Sequence, residues 1–396
     1  MAALWPGDLF LTGGALRDRL LGRGHADLDL AVVGDARAAA SRVATALGGR
    51  CFPLGRHPLV TWRVLAGQRH LDFWGIVGDI EADIRRRDFT VNAMFWRLPR
   101  GPLIDLVGGL DDLEASRIRV VSPNNLRADP LRVLRGVRLV ATHGELRLTA
   151  ATESQLAAAA GGLRGVARER VIDELRLLLA GAAVGRALRA AARLGILAVL
   201  RPEWEGYAAV PLVTEVGVAL VALQRRGHSA LGRAAREVAP ALLAAPAAGF
   251  PDGWQSSRAV EALLAIGWPP AAAERAAAAA GLGERLRSLI GVDLMAAREL
   301  AVEAGERLGA ALAWATARTA ASNGDLYPAA VRLHRWWRHF CSRAPLLDGS
   351  EIAQLLALPP GPPRAEAVVA LRRAQARGAV RSRAQAREFL TSLHAR

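Results

Sequence analysis

Apolar positions change rhythm near Pro123. Before it they come in short runs bounded mostly by Gly, Pro or Asp: Leu9–Leu11, Leu28–Val33, Val60–Leu65, Arg69–Phe73 and Val91–Arg97. Runs of that length predict strands. Between them, Ala15–Leu21 and Ala36–Leu47 carry the three-to-four spacing of amphipathic helices. Strands and helices mixed in this way predict an α+β domain. From Pro123 onward the rhythm is helical, as over Asp129–His143, Glu169–Leu179, Val184–Leu194 and Leu294–Arg318. Breakers at Pro202, Pro211, 249–253, Pro269–Pro270 and 359–363 divide this half. The runs Ala157–Ala160 and Ala276–Ala280 read as helix, Ala being the strongest helix former.

Composition supports that division. Of 396 residues 52% are hydrophobic but only 5% aromatic, an Ala/Leu-rich balance that suits packed helices rather than a β-sandwich. Charge adds a partner class. All 52 basic residues are Arg and 37 acids oppose them, and the resulting +15 favours a polyanionic partner, nucleic acid or a membrane surface. Two cysteines, Cys51 and Cys341, make neither a disulfide framework nor a Cys-based zinc site. The first ten residues have no basic segment and carry Asp8, unlike a secretory signal. No apolar run reaches the ~18–20 residues of a membrane span; 207–223 comes nearest, and Glu215 interrupts it. The expectation is a soluble, cytoplasmic protein with no membrane partner.

Candidate chemistry gathers in the first half. Asp27-Leu28-Asp29 opens an apolar run, and on a strand residues i and i+2 share a face. Two neighbouring carboxylates repel unless a cation neutralises them, and short Asp side chains suit Mg²⁺. Taken alone, such a pair is more often two solvated acids at a strand end. Upstream, Thr12-Gly13-Gly14-Ala15-Leu16-Arg17-Asp18 follows a predicted strand. Glycines between strand and helix leave backbone N–H groups open to phosphate, and Arg17 adds a charge-assisted donor one turn in. Downstream, Arg85-Arg86-Arg87-Asp88 runs into Phe89–Ala93, where Arg87, Asp88 and Asn92 offer donors and acceptors for a triphosphate and a ribose.

These elements continue in order with Asp105-Leu-Val-Gly108-Gly109-Leu-Asp111-Asp112-Leu113, Ala128-Asp129-Pro-Leu-Arg132-Val-Leu-Arg135 and Arg168-Glu169-Arg170-Val-Ile-Asp-Glu174-Leu175. Fainter matches follow at Leu347–Ile352 and Pro360–Pro362. Over about residues 8 to 180 the series resembles the class II tRNA nucleotidyltransferases, the family of bacterial CCA-adding enzymes and poly(A) polymerases. The resemblance implies an α+β nucleotidyltransferase head (1–122), then an all-α neck that reads the base (123–195), body (196–300) and tail (301–396). It implies that Asp27 and Asp29 are catalytic and bind two Mg²⁺ ions, with Asp72 a candidate third carboxylate. The attacking group is then the RNA 3′-hydroxyl and the leaving group pyrophosphate. Gly13, Gly14, Arg17, Asp18, Arg87, Asp88 and Asn92 fall at nucleotide-binding positions.

If Asp129–Arg138 is helical, Asp129 and Arg132 share a face, with Arg135 and Arg138 along the same helix. A carboxylate accepts from an exocyclic amine and a guanidinium donates to ring acceptors, which suits cytosine and adenine and rejects uracil and guanine. The plain alternative is a capping Asp followed by surface Arg. Two departures from the family stand out. Ala128 replaces a Glu thought to orient the Arg, and only ten residues, Phe73 to Ala82, separate Asp72 from Asp83. A short segment there resembles the CC-adding branch, with CTP as substrate; a full CCA-adding enzyme also using ATP is the nearest alternative, and a poly(A) polymerase a further one. Arg168, Arg170, Arg335 and Arg338 are candidate tRNA contacts, as are Arg225-Arg226 and the Arg-rich stretch Arg372–Arg387. The rivals from other classes are a non-catalytic RNA-binding protein and a small-molecule nucleotidyltransferase.

Overall fold

The structure, a computed structural model, describes residues 5, 7–24, 27–55, 60–76, 78–202, 210–225, 230–245, 248–250 and 252–394. Arg226, and residues 207–209 of the longest apolar stretch, lie outside the described residues. Contacts divide the chain into two compact units, Met1–Ala167 with Leu194–Val199, and Arg168–Arg193 with Leu200–Arg396. The first unit therefore runs past residue 122, the expected end of the head.

The first unit holds the strands β1 (Leu9–Thr12), β2 (Asp27–Val32), β3 (Arg50–Leu54), β4 (Thr61–Ala66), β5 (Arg69–Gly75), β6 (Phe95–Arg97), β7 (Leu103–Ile104), β8 (Arg117–Ile118) and β9 (Arg147–Leu148). Seven form one sheet in the order β3-β4-β5-β2-β1-β6-β7, and β8 pairs with β9. β2 and β5 run parallel, and the other neighbours in the large sheet are antiparallel. Its helices are α1 (Gly13–Leu20), α2 (Ala36–Leu47), α3 (Ile80–Arg85), α4 (Gly109–Glu114), α5 (Pro123–Ala128), α6 (Leu131–Thr142) and α7 (Ala150–Ala159).

Helix α2 coincides with its sequence expectation because both ends are chemically marked. The Asp35 side chain accepts from the N–H groups of Arg37 and Ala38, and Gly48 closes the helix in the left-handed region at φ 62°. β3 carries Pro53, which argues against a strand; it is accommodated because β3 lies at the sheet edge. One sheet face buries Phe10, Ala31 and Phe95 against Ile84 of α3. That face also carries the Asp27 and Asp29 positions, four and two residues back along β2 from Ala31.

Two expectations need correction here. Val91–Arg97 is not one strand: Thr90–Asn92 is a 3₁₀ turn and the strand begins at Phe95. Gly109 packs so closely beneath this turn that an added Cβ would lie 2.3 Å from the Thr90 carbonyl oxygen. Asp129 is not helical either. It ends α5 with φ −140° and ψ 91°, because the following Pro130 disfavours the helical region, and α6 starts only at Leu131.

In the second unit the described helices are α8 (Arg168–Leu179), α9 (Val184–Arg193), α11 (Val210–Arg225), α12 (Ala230–Val238), α13 (Ala241–Ala244), α14 (Ser256–Ala265), α15 (Pro270–Leu289), α16 (Leu294–Ala304), α17 (Leu308–Ala320), α18 (Tyr327–Ser342), α19 (Gly349–Leu356), α20 (Pro362–Arg377) and α21 (Arg383–His394); α10 (Ile196–Leu200) falls almost wholly in the first unit. The expected helix Leu294–Arg318 is two helices, broken at Gly305–Arg307, where Gly305 adopts φ 56°. Trp314 anchors this unit. Its ring is fully buried, edge-on to Trp254 and Phe250, and its indole N–H donates to Glu284 at 2.9 Å. No described helix is long and apolar enough to cross a membrane.

Candidate active site

The site begins where β1 turns into α1 beside the start of β2. In register, Thr12 of β1 faces Asp29 of β2, which faces Asp72 of β5, which faces Arg63 of β4. Gly13 makes the turn at φ 67°, and a Cβ there would sit 2.6 Å from the Asp29 carboxylate. Only glycine lets the strand-to-helix turn and the carboxylate lie this close. Asp27, two residues earlier, is the more exposed of the pair and lies 3.3 Å from His70 Nδ1.

Asp72 is committed to a partner. Arg63 donates to both its oxygens, from Nε at 2.7 Å and Nη2 at 2.6 Å. That hydrogen-bonded pairing raises the affinity of Arg63 for its proton, and the nearby Asp27 and Asp29 add to it. Among the described residues no group of three or more His, Cys, Asp or Glu side chains is placed to hold an ion. Two all-oxygen donors on one strand face still suit a hard divalent cation that completes its shell with phosphate and water, the usual habit of Mg²⁺.

Behind the turn lies a buried polar network. Arg17, expected to reach a phosphate, is turned inward and only 6% exposed. Its Nε donates to Asp18 at 2.8 Å and its Nη1 to Asn92 Oδ1 at 2.6 Å, while its guanidinium folds back over Gly14. Burial lowers its proton affinity. Asn92 donates on to Asp88 at 3.3 Å, and Arg135 lies 3.7 Å from the other Asp88 oxygen. The structure thus joins Arg17, Asp18, Asp88, Asn92 and Arg135 into one chain of contacts. Arg87 is held separately by Asp83, at 2.9 Å, with its guanidinium over the rings of Trp74 and Phe95.

Sequence reasoning missed His143 at the back of this network. It is 1% exposed, accepts from Arg23 at Nδ1 (2.8 Å) and points Nε2 toward Asp18 at 3.5 Å, with Glu145 also nearby. Burial, with Arg17 and Arg23 beside it, pushes its pKa down to about 4. Between pH 6.5 and 4 the unfolded chain takes up a proton that the folded head refuses. Stability tied to His143 is complete above pH 6.5 and is lost as pH falls toward 4, by on the order of 2–3 kcal/mol. Urea melts of wild type and His143→Gln across that window are expected to diverge at pH 7 and converge near pH 4.

A second cluster lies at the α5–α6 break. Arg132 is expected to share a helix face with Asp129; instead its Nε lies 4.0 Å from Asp129 Oδ2 across the break, the limit of an ion pair. Its Nη1 donates to the carbonyls of Arg86 (2.8 Å) and Asn125 (3.2 Å). Burial lowers its proton affinity, and its Nε is buried with no hydrogen-bond partner. Such donors are costly unless a ligand completes them. In the second unit, Arg168 and Arg170 are exposed at the start of α8, and Arg335 and Arg338 along α18. On α18, Trp336 and Trp337 pack partly buried against the core, while Arg298 lies over Trp336. Several acids of the family-like segments are structural. Asp105 accepts from Gly109 and Leu110 N–H groups, Asp112 accepts from Thr90 Oγ1 at 2.7 Å, and Asp348 with Glu351 forms a capping box on α19.

A family described as "Poly A polymerase head domain" matches residues 62–119. Residues 62–119 are thus similar to a poly A polymerase head domain. A second family, "Probable RNA and SrmB- binding site of polymerase A", matches residues 145–207. Among curated proteins, an A-adding tRNA nucleotidyltransferase of Deinococcus radiodurans is 43% identical over 50% of this chain and 46% of its own length. A CC-adding tRNA nucleotidyltransferase of Thermus thermophilus is 41% identical over the same shares. The chain thus spans about half the length of the curated relatives it matches. Among solved structures, the Thermotoga maritima CCA-adding enzyme complexed with tRNA aligns over 98% of this chain and 91% of its own, with TM-score 0.67 and 20% identity. A CCA-adding enzyme with ATP aligns over the same shares with TM-score 0.70 and 20% identity. The two matched segments and the curated relatives are similar to the tRNA nucleotidyltransferases and poly(A) polymerases that the sequence segments resemble, and the solved structures share the fold. The curated relatives differ among themselves in which nucleotide they add.

Proposed function

We propose that this chain is a template-independent tRNA nucleotidyltransferase that adds cytidines from CTP to the tRNA 3′ end, stopping after two. The observation that carries the reaction is the Asp27–Asp29 pair set against the Gly13 turn. Asp27 and Asp29 would hold Mg²⁺, which when bound supplies charge neutralisation and Lewis-acid polarisation at the triphosphate. The Gly13–Gly14 turn, backed by the Arg17 guanidinium, presents a positive surface to phosphate. The 3′-hydroxyl gives up its proton to solvent as its oxygen bonds to the α-phosphorus, the bond from that phosphorus to the bridging oxygen of the β-phosphate breaks, and pyrophosphate departs with that oxygen. Asp129 accepts from the cytosine amine and Arg132 donates to its ring acceptors. Exposed Arg168, Arg170, Arg335 and Arg338 neutralise tRNA phosphates.

The stop after two cytidines rests on the segment between β5 and α3. The strand runs to Gly75 and the helix starts at Ile80, so the connection is only residues 76–79, of which Val77 lies outside the described residues. So short a link leaves little chain to re-aim the pocket from C to A. Incubating the protein with Mg²⁺, trimmed tRNA and CTP, then ATP, is expected to give a +2 product that ATP does not extend. A +3 product would assign full CCA addition, a single A on tRNA ending in CC would assign A addition, and a long A ladder a poly(A) polymerase. No extension at all would leave an RNA-binding protein.

A further inference from the structure

The guanidinium of Arg132 is held without a carboxylate at position 128, where Ala stands. Its two acceptors, the carbonyls of Arg86 and Asn125, belong to different segments: the end of α3 and the middle of α5. The Asn125 side chain joins them. Its Nδ2 donates to the carbonyl of Arg85 at 2.8 Å and of Arg87 at 2.7 Å, on either side of the Arg86 carbonyl that Arg132 uses. One residue therefore supplies one acceptor from its own backbone and fixes the other through its side chain. Both donors of that amide are spent on this link.

We propose that Asn125 is the positioning residue for base selection, doing by way of backbone carbonyls what a carboxylate at 128 would do directly. The inference rests on the proposed base-reading role of Arg132. Held by neutral carbonyls, with Asp129 only at the 4.0 Å limit of an ion pair, the guanidinium donates a charge-assisted bond through its remaining edge. Cytosine offers N3 and O2 as acceptors to that edge, whereas uracil turns an N3–H toward it. A fork free to rotate meets either base. Selectivity then depends on the amide of Asn125, two bonds removed from any contact with the nucleotide.

The test is equilibrium binding of CTP and of UTP, in Mg²⁺, to the full chain as wild type, Asn125→Ala, Asn125→Gln and the double variant Asn125→Ala/Ala128→Glu. Wild type is expected to prefer CTP, and Asn125→Ala to lose that preference by roughly 10-fold or more. Asn125→Gln, which keeps a two-donor amide, and the double variant, which returns a carboxylate beside the fork, are expected to recover part of it. If Asn125→Ala keeps the CTP-to-UTP ratio within about twofold of wild type, or if both affinities fall together, the proposal is overturned while base reading by Arg132 stands. A wild type without CTP preference overturns the base-reading role itself, and with it this proposal.

Discussion

Replacing Asp29 by Asn is expected to lower nucleotide transfer by roughly a thousandfold or more, about 4 kcal/mol of transition-state stabilisation, with the head still folded. Asn keeps the shape that packs against Gly13 and removes only the charge. That charge is the part the proposed chemistry needs, since Asp29 lies two residues along the strand from Asp27, on the same face, and beside the turn proposed to meet phosphate. Thermal stability should stay level or rise, because a repelling neighbour of Asp27 is neutralised. Binding of tRNA, proposed to rest on Arg–phosphate contacts elsewhere, should be nearly intact. Asp72→Asn makes the contrast. Both its oxygens are engaged by Arg63, so its removal acts through Arg63 and is expected to be milder. Single-turnover extension of trimmed tRNA by CTP compares both variants with wild type; a loss below tenfold for Asp29→Asn in a folded protein would remove it from the catalytic role.

Where the local chemistry was decisive, the sequence announced the structure. The strand–Gly-Gly–helix turn, the Asp27–Asp29 strand and the Asp35-capped helix each carry their own cause in a few neighbouring residues. Periodicity failed where a backbone rule outranked it. The apolar run from Val91 reads equally as strand or buried turn, and only Gly109, eighteen residues on, decides for the turn. The Ala-rich pattern across 294–318 hides the left-handed Gly305. Asp129 was legible after all: a residue before proline is steered away from helix. What one sequence does not hold is which partner a long side chain takes. Arg17 looks the same on paper whether it meets phosphate or, as here, Asn92 seventy-five residues away. Arg63, Asn125 and His143 gain their roles only from strands and loops that the fold brings together.

Asp83 has a role not assigned from the sequence, although Arg86 and Arg87 follow it by three and four residues. It is fully buried at the end of α3, accepting from Arg86 Nε at 2.7 Å and Arg87 Nη2 at 2.9 Å. Asp83→Ala leaves two guanidiniums facing a cavity with no counter-charge. The Arg87 side chain is 18% exposed and has little access to water, whereas Arg86, at 40%, recovers part of its solvation. The expected destabilisation is therefore about 2–4 kcal/mol, at or below the range for a fully buried pair. In a unit of this size that corresponds to a fall in melting temperature of roughly 5–10 °C. Function should suffer beyond stability. The segment 85–87 supplies the carbonyls that Asn125 and Arg132 bind, so loosening it is expected to disturb the proposed base reading as well as Arg87. Melting by circular dichroism, paired with CTP binding well below the transition, separates the two effects. Adding Arg86→Met to Asp83→Ala is expected to restore part of the stability by removing a stranded charge, but not the affinity for CTP. If the double variant is no more stable than Asp83→Ala alone, the buried pair is not what fastens this segment to the sheet.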